Sequence, residues 1–159
     1  MKSRTEATNV MRILARNKIE FQSYTYPSDT ALSGAEVADI LHIDPCRVFK
    51  TLVTVAASKN YYVFMIPVQM ELDLKKAARI AGEKNVSMIP QKELLPLTGY
   101  IHGGCSPVGM KKQFRTYIDL SASHYDSIVF SAGKVGYQVE TSPTDLVNLL
   151  SAKFSDLCV

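Results

Sequence analysis

The chain has 159 residues, of which 47% are hydrophobic and 21% charged, an ordinary balance for one globular domain. No apolar run reaches the roughly 20 residues a membrane helix needs, and Arg12, Arg16 and Lys18 break the N-terminal stretch where a signal sequence would lie, so neither membrane insertion nor secretion is expected. The formal net charge of +3 permits contact with a polyanion without requiring it.

In chain order, the opening reads as a helix, with Thr5 as N-cap and Val10, Met11, Leu14 and Ala15 at helical spacing. Ile19 to Tyr26 reads as a strand ended by Pro27, and Ser33 to His42 as a helix with a Ser33/Glu36 capping box. The β-branched run Cys46 to Ala56 and the run Tyr61 to Ile66 predict a hairpin turning through Ser58-Lys-Asn60. Asp73 to Ala81 is a basic amphipathic helix closed by Gly82. A short strand at Val86 to Ile89, a helical turn after Pro90 and a shaped Gly/Pro loop from Thr98 to Gly109 follow. Strands are expected at Thr116–Leu120, Ser127–Ser131 and Val135–Glu140, then a last helix capped by Ser142 or Thr144 with Pro143 in its first turn. Together these predict one α+β domain spanning residues 1–159, with a mixed or antiparallel sheet and helices packed against it.

Lys50 is the first candidate for chemistry. Val48, Lys50, Leu52 and Thr54 alternate with Phe49, Thr51, Val53 and Val55, so both faces of the strand are apolar and both should be covered. A lysine in its middle is costly unless it faces a cleft or an anion; the structural alternative is an amine that snorkels past the sheet edge. In the loop His102-Gly-Gly-Cys-Ser-Pro-Val-Gly109, paired glycines permit positive φ, and successive N–H groups could converge on one oxygen; a plain connecting loop is the alternative. Ser131-Ala-Gly-Lys-Val-Gly136 is not a Walker A motif, because position 128 is Ile rather than Gly; it is a hairpin turn, with or without a pocket beside it.

The cysteines Cys46, Cys105 and Cys158 are odd in number and widely spaced, which argues for reduced thiols and against a disulfide framework or a metal site. Cys105 stands among amide donors with His102 three residues away, but no cysteine-protease signature surrounds it. Tyr24, Tyr26, Tyr61 and Tyr62 could stack on bases or simply pack in strands. Basic residues gather at Lys75, Lys76, Arg79 and Lys84, and again at Lys111, Lys112 and Arg115, as solvated faces or as a polyanion contact.

Five ordered pieces carry a family resemblance: Val48-Phe-Lys-Thr-Leu52, Leu72-Asp-Leu-Lys-Lys-Ala77, Thr98-Gly-Tyr100, Gly103-Gly-Cys-Ser-Pro107 with Gly109-Met-Lys-Lys112, and Ser131-Ala-Gly-Lys134. From about Thr5 to Asp156 the chain resembles the YbaK/EbsC family of aminoacyl-tRNA deacylases, which is similar to the editing domain inserted in bacterial prolyl-tRNA synthetases. The resemblance implies a barrel-like, largely antiparallel sheet surrounded by helices. It implies a cytoplasmic enzyme, monomer or homodimer, acting in trans on mischarged tRNA(Pro), with prolyl-tRNA synthetase as a further partner and neither cofactor nor metal. One methylene in an apolar pocket discriminates by only about 1–3 kcal/mol, so a second sieve is useful. The Lys-Thr dipeptide and the Gly-Gly-x-Ser-Pro loop resemble the Cys-specific branch, whereas the alanine-specific branch tends to Lys-Asn and a single glycine.

Carried over by position, Lys50 matches the lysine on which family activity depends. Tyr26, Thr51, the loop Gly103, Gly104, Cys105, Ser106 and Pro107, and the turn Ser131, Ala132 and Gly133 match the pocket around the aminoacyl ester. One departure stands out: an aromatic present in relatives between Tyr26 and Lys50 has no counterpart at Leu32 or Ser33. The family picture has the substrate's own thiol attack the carbonyl, with Lys50 as ammonium and the loop amides stabilising charge. The alternatives are a non-catalytic module that binds tRNA or a synthetase, and a Schiff-base lysine enzyme.

Overall fold

A computed structural model describes residues 7–27 and 32–159. The first helix, α1 (Asn9–Arg16), is capped by Thr8, whose Oγ1 accepts the Met11 N–H at 3.3 Å; the expected cap, Thr5, lies outside the described residues. After β1 (Phe21–Thr25), α2 (Gly34–Leu41) opens on the expected capping box, with Ser33 Oγ accepting from Glu36 N–H at 3.2 Å and Glu36 Oε1 from Ser33 N–H at 3.0 Å. The next strand begins three residues later than expected. Asp44 accepts the Cys46 N–H at 2.9 Å and Pro45 pre-sets φ, so residues Pro45–Arg47 form a 3₁₀ turn and β2 is Phe49–Ala56.

The hairpin returns as β3 (Tyr61–Pro67). Then come α3 (Leu74–Ala81), capped by Asp73 and closed by Gly82 at φ 74, and β4 (Val86–Met88). A short α4 (Leu94–Thr98) precedes the glycine-rich loop; β5 (Arg115–Asp119), β6 (Ile128–Ser131) and β7 (Tyr137–Thr141) follow. Ser142, not Thr144, caps α5 (Pro143–Leu150). The chain then adds β8 (Lys153–Ser155), a strand too short to carry a pattern in the sequence.

The strands divide between an antiparallel sheet ordered β1-β7-β6 and a mixed sheet ordered β4-β2-β3-β5-β8, parallel at β3–β5 and β5–β8. The architecture is the expected mixed, largely antiparallel α+β fold; the two sheets touch through a bridge between Val48 and Val129 without closing into a full barrel. Leu14, Phe49, Met65, Ile118, Phe130, Val139 and Leu146 form the largest core, and Phe64, Ile66, Tyr117 and the alanine face of α3 form a second on the opposite side of the mixed sheet. Both faces of β2 are therefore covered, as its sequence demands.

Register decides the position of the lysine. Lys50, Leu52 and Thr54 lie opposite Ile66, Phe64 and Tyr62 on the α3 face, and Thr51 and Val53 lie opposite Met65 and Val63 on the other. On its outer edge β2 is paired by β4 only at Thr54–Ala56, so the stretch around Lys50 and Thr51 borders open space. A polar cluster ties the two sheets together nearby: Glu140 accepts from Arg47, Ser127 and Tyr24, and Arg47 Nη2 also donates to Ser127 Oγ at 2.9 Å. Among the described residues no helix is long and apolar enough to cross a membrane, and no three His, Cys, Asp or Glu side chains gather as a metal site would need.

Candidate active site

The outer edge of β2, the small sheet and the first turn of α2 enclose a cleft of about 360 Å³. Lys50 lines it half-buried, and among the described residues its amine makes no ion pair or hydrogen bond. No Asp or Glu among the described residues lines the cleft, and Lys50 is the one Lys or Arg among them that does. That arrangement suits a phosphate or a developing alkoxide.

Thr51 shares the cleft, and its hydroxyl oxygen is buried with no partner among the described residues. An unsatisfied buried hydroxyl costs about 1–3 kcal/mol, and a bound ligand would relieve it. Tyr26, only 8% exposed, stands at the end of β1, where its N–H donates to the Gly136 carbonyl at 3.0 Å. Ser131 and Gln138 add polar side chains from the small sheet.

The glycine loop grows out of the end of α4. Thr98 Oγ1 donates to the Leu94 carbonyl at 2.7 Å and accepts the Tyr100 N–H at 3.0 Å, fixing the exit direction. Gly103 then adopts φ 87, a conformation that other residues take only with strain. Gly104 runs so close to the second glycine turn that a Cβ there would lie 3.0 Å from Val135 N and 3.3 Å from the Lys134 carbonyl carbon. The two loops are packed backbone against backbone. Gly104 N–H bonds the Ile101 carbonyl at 2.9 Å, while the N–H groups of Gly103, Cys105 and Ser106 bond no described residue.

The residues singled out from sequence therefore split into two groups. Lys50, Thr51, Tyr26, Gly103, Cys105 and Ser131 line one cleft. Gly104, Ser106, Pro107, Ala132 and Gly133 are not among its lining residues; they form the supporting turns, with Ser106 and Ala132 fully buried and Gly133 N–H bonded to Ser131 Oγ at 3.1 Å. Sequence reasoning passed over the α2 wall (Gly34, Ala35, Val37), Leu94 and Gln138. Leu32, noted only for lacking an aromatic, and Ser33, noted for that and as the cap of α2, also line the cleft. A small residue such as Gly34 beside a cap box was the available signal.

Cys105 meets the cleft, but burial pushes its thiol up to about 12. Such a thiol stays protonated at neutral pH and makes a poor nucleophile. Cys46 is exposed, and its hydrogen bond to Asp44 raises its pKa.

These features define a class: an α+β domain whose pocket joins a lone lysine to two glycine-built turns rather than to a nucleophile–base pair. Residues 28–149 match the aminoacyl-tRNA editing domain family, and the chain belongs to that family. It is 43% identical over 157 residues, covering 98% of this chain and 96% of the relative, to EbsC of Enterococcus faecalis, provisionally named a Cys-tRNA(Pro)/Cys-tRNA(Cys) deacylase. It is 22% identical over 139 residues to part of the proline–tRNA ligase of Burkholderia multivorans, matching 84% of this chain and 24% of that enzyme. A crystal structure described provisionally as a trans-editing enzyme for prolyl-tRNA synthetase superposes with a TM-score of 0.83 at 24% identity, over 99% of both chains, a likeness of fold.

Proposed function

We propose that this chain is a trans-editing deacylase that clears mischarged tRNA(Pro), with Cys-tRNA(Pro) as its principal substrate, in the cytoplasm beside prolyl-tRNA synthetase. The observation that carries the reading is Lys50: a cation held half-buried in a cleft that no Asp or Glu among the described residues lines, together with the Thr51 hydroxyl, which has no partner among them, and the Gly103–Cys105 turn. The kinship with EbsC supports cysteine as the amino acid.

In this mechanism the terminal ribose and its aminoacyl ester enter the cleft. The substrate's own thiol sulfur gives up its proton and attacks the ester carbonyl; a C–S bond forms, the ester C–O bond breaks, and the ribose oxygen leaves and takes a proton. Lys50, as ammonium, offsets the charge developing on that leaving oxygen, and the N–H groups of Gly103 and Cys105 hold the carbonyl oxygen. No protein nucleophile is needed, which agrees with the protonated state of Cys105.

Purified protein is incubated with tRNA(Pro) charged with Cys, Ala or Pro, and amino-acid release is followed. Cys-tRNA(Pro) is cleaved fastest and Pro-tRNA(Pro) is spared. Lys50→Ala loses about 10²–10³-fold or more in rate, the scale of one lost charge-stabilising group, with an unchanged melting temperature. Release of proline, or near-normal turnover by Lys50→Ala, defeats the reading.

A further inference from the structure

We infer that a belt of unpaired cations at the far end of the mixed sheet grips the phosphate backbone of the tRNA acceptor stem, an inference that rests on the editing reading above. A groove of about 510 Å³ between the β2–β3 turn and the start of β5 is lined by Lys59, Lys112 and Arg115 and floored by the contacting Tyr61 and Phe114 rings. A second groove, along α3, carries Lys75, Arg79 and Lys84. All six cations are exposed, and among the described residues none makes an ion pair.

Among the described residues Glu83 is the single acid lining either groove, and it accepts hydrogen bonds from Tyr62, Ser58 and Asn60 where the two grooves meet. Charge of one sign is thus concentrated along one edge of a protein whose formal net charge is only +3. A mobile small anion would need one such cation; a row of them fits a row of phosphates.

Register supplies the distance. Arg115 lies opposite Tyr62, and Tyr62 opposite Thr54, on the face of the sheet that also presents Lys50. Four residues along β2 correspond to about 13 Å, and two strand spacings across to about 10 Å. The two combine to a separation of about 16 Å; the single-stranded 3′ end of a tRNA, four nucleotides spanning about 14 Å at roughly 3.4 Å each, covers most of it, and the length of the basic side chains covers the rest. With the terminal ribose at Lys50, the first base pairs of the stem therefore fall over Arg115, Lys112 and Lys59. Partly exposed Tyr61 is placed to meet an unpaired base on the way.

The test compares wild type with Lys59→Ala/Lys112→Ala/Arg115→Ala, and with Arg16→Ala/Lys18→Ala from the opposite side of the sheet as a charge control. Binding of fluorescent uncharged tRNA(Pro) is measured between about 50 and 200 mM salt. The triple variant should lower the slope of log K against log salt by about 2 to 3, near one unit per lost phosphate contact, while the control keeps the wild-type slope. Cleavage of Cys-tRNA(Pro) by the triple variant should show a KM raised at least tenfold, with cleavage of a cysteinyl ester of adenosine unchanged. An unaltered salt slope overturns the belt, as does equal loss in the control or an effect seen only on binding to prolyl-tRNA synthetase. If wild type cleaves neither ester, the editing reading fails, and the salt slopes still judge the belt separately.

Discussion

Gly34 and Val68 are in such close contact that a Cβ on Gly34 would lie 2.2 Å from Val68 Cγ1. The first turn of α2 is thereby pressed onto the chain leaving β3, and this contact forms one wall of the cleft. Gly34→Ala gains some helix propensity, but the clash is with a stiff β-branched side chain and outweighs it. A loss of about 1–3 kcal/mol is expected in urea denaturation, the usual cost of overpacking. Val68→Ala in the same chain should recover most of that loss, so a double-mutant cycle that shows simple additivity would refute the contact.

Thr51→Val should separate binding from folding. The hydroxyl has no partner among the described residues of the free protein, so replacing it with a methyl should leave stability unchanged or raise it by up to about 1 kcal/mol. A substrate that bonds this hydroxyl loses one neutral hydrogen bond, worth roughly a tenfold fall in kcat/KM. Lower stability in the variant would mean that the hydroxyl already has a partner.

Acid sensitivity should reside in the Arg47–Glu140 cluster. Burial is the largest single influence on Glu140 and raises its pKa, but hydrogen bonds from Ser127 and Tyr24, with the charge and hydrogen bond of Arg47, together outweigh it, and the pKa is lowered. A carboxyl group depressed in the folded state stabilises fully above its unfolded value, about 4.3, and loses that contribution as pH falls through the lower folded value. Melting temperature followed from pH 7 downward should drop through this acid range in wild type, and Glu140→Gln should be less stable at pH 7 with a shallower acid limb. A parallel pair of curves would exclude Glu140 as the source.

Thiol chemistry distinguishes the cysteines. Cys105 and Cys158 are both pushed up to about 12, chiefly by burial, and Cys46 is exposed. Iodoacetamide at pH 8 should therefore label Cys46 first, as read by peptide mass spectrometry. Cys105→Ala should keep deacylation within a few-fold of wild type, whereas an inactive variant that remains folded would make Cys105 the nucleophile.

The local elements were legible because their signals are local. The Ser33/Glu36 box, the Asp73 cap with Gly82, and Ser142 before Pro143 each act within one helical turn. Errors arose where two local signals competed. Cys46 and Arg47 belong by composition to the β-branched run, but the Asp44 cap and Pro45 turned them into a 3₁₀ helix.

In the candidate site, the sequence alone marked a lysine inside a two-sided apolar strand and two glycine-containing turns free to adopt positive φ, with a plain connecting loop and a plain hairpin as their alternatives. Those conclusions need nothing beyond alternation along a strand and the absence of a Cβ. The pairing of sheets, the parallel entry of β5 beside β3, the short reach of β4 that leaves Lys50 at an open edge, and the α2 wall at Gly34 were decided only in three dimensions. They depend on which distant segments bury one another, and a side chain carries no local record of the partner it will meet.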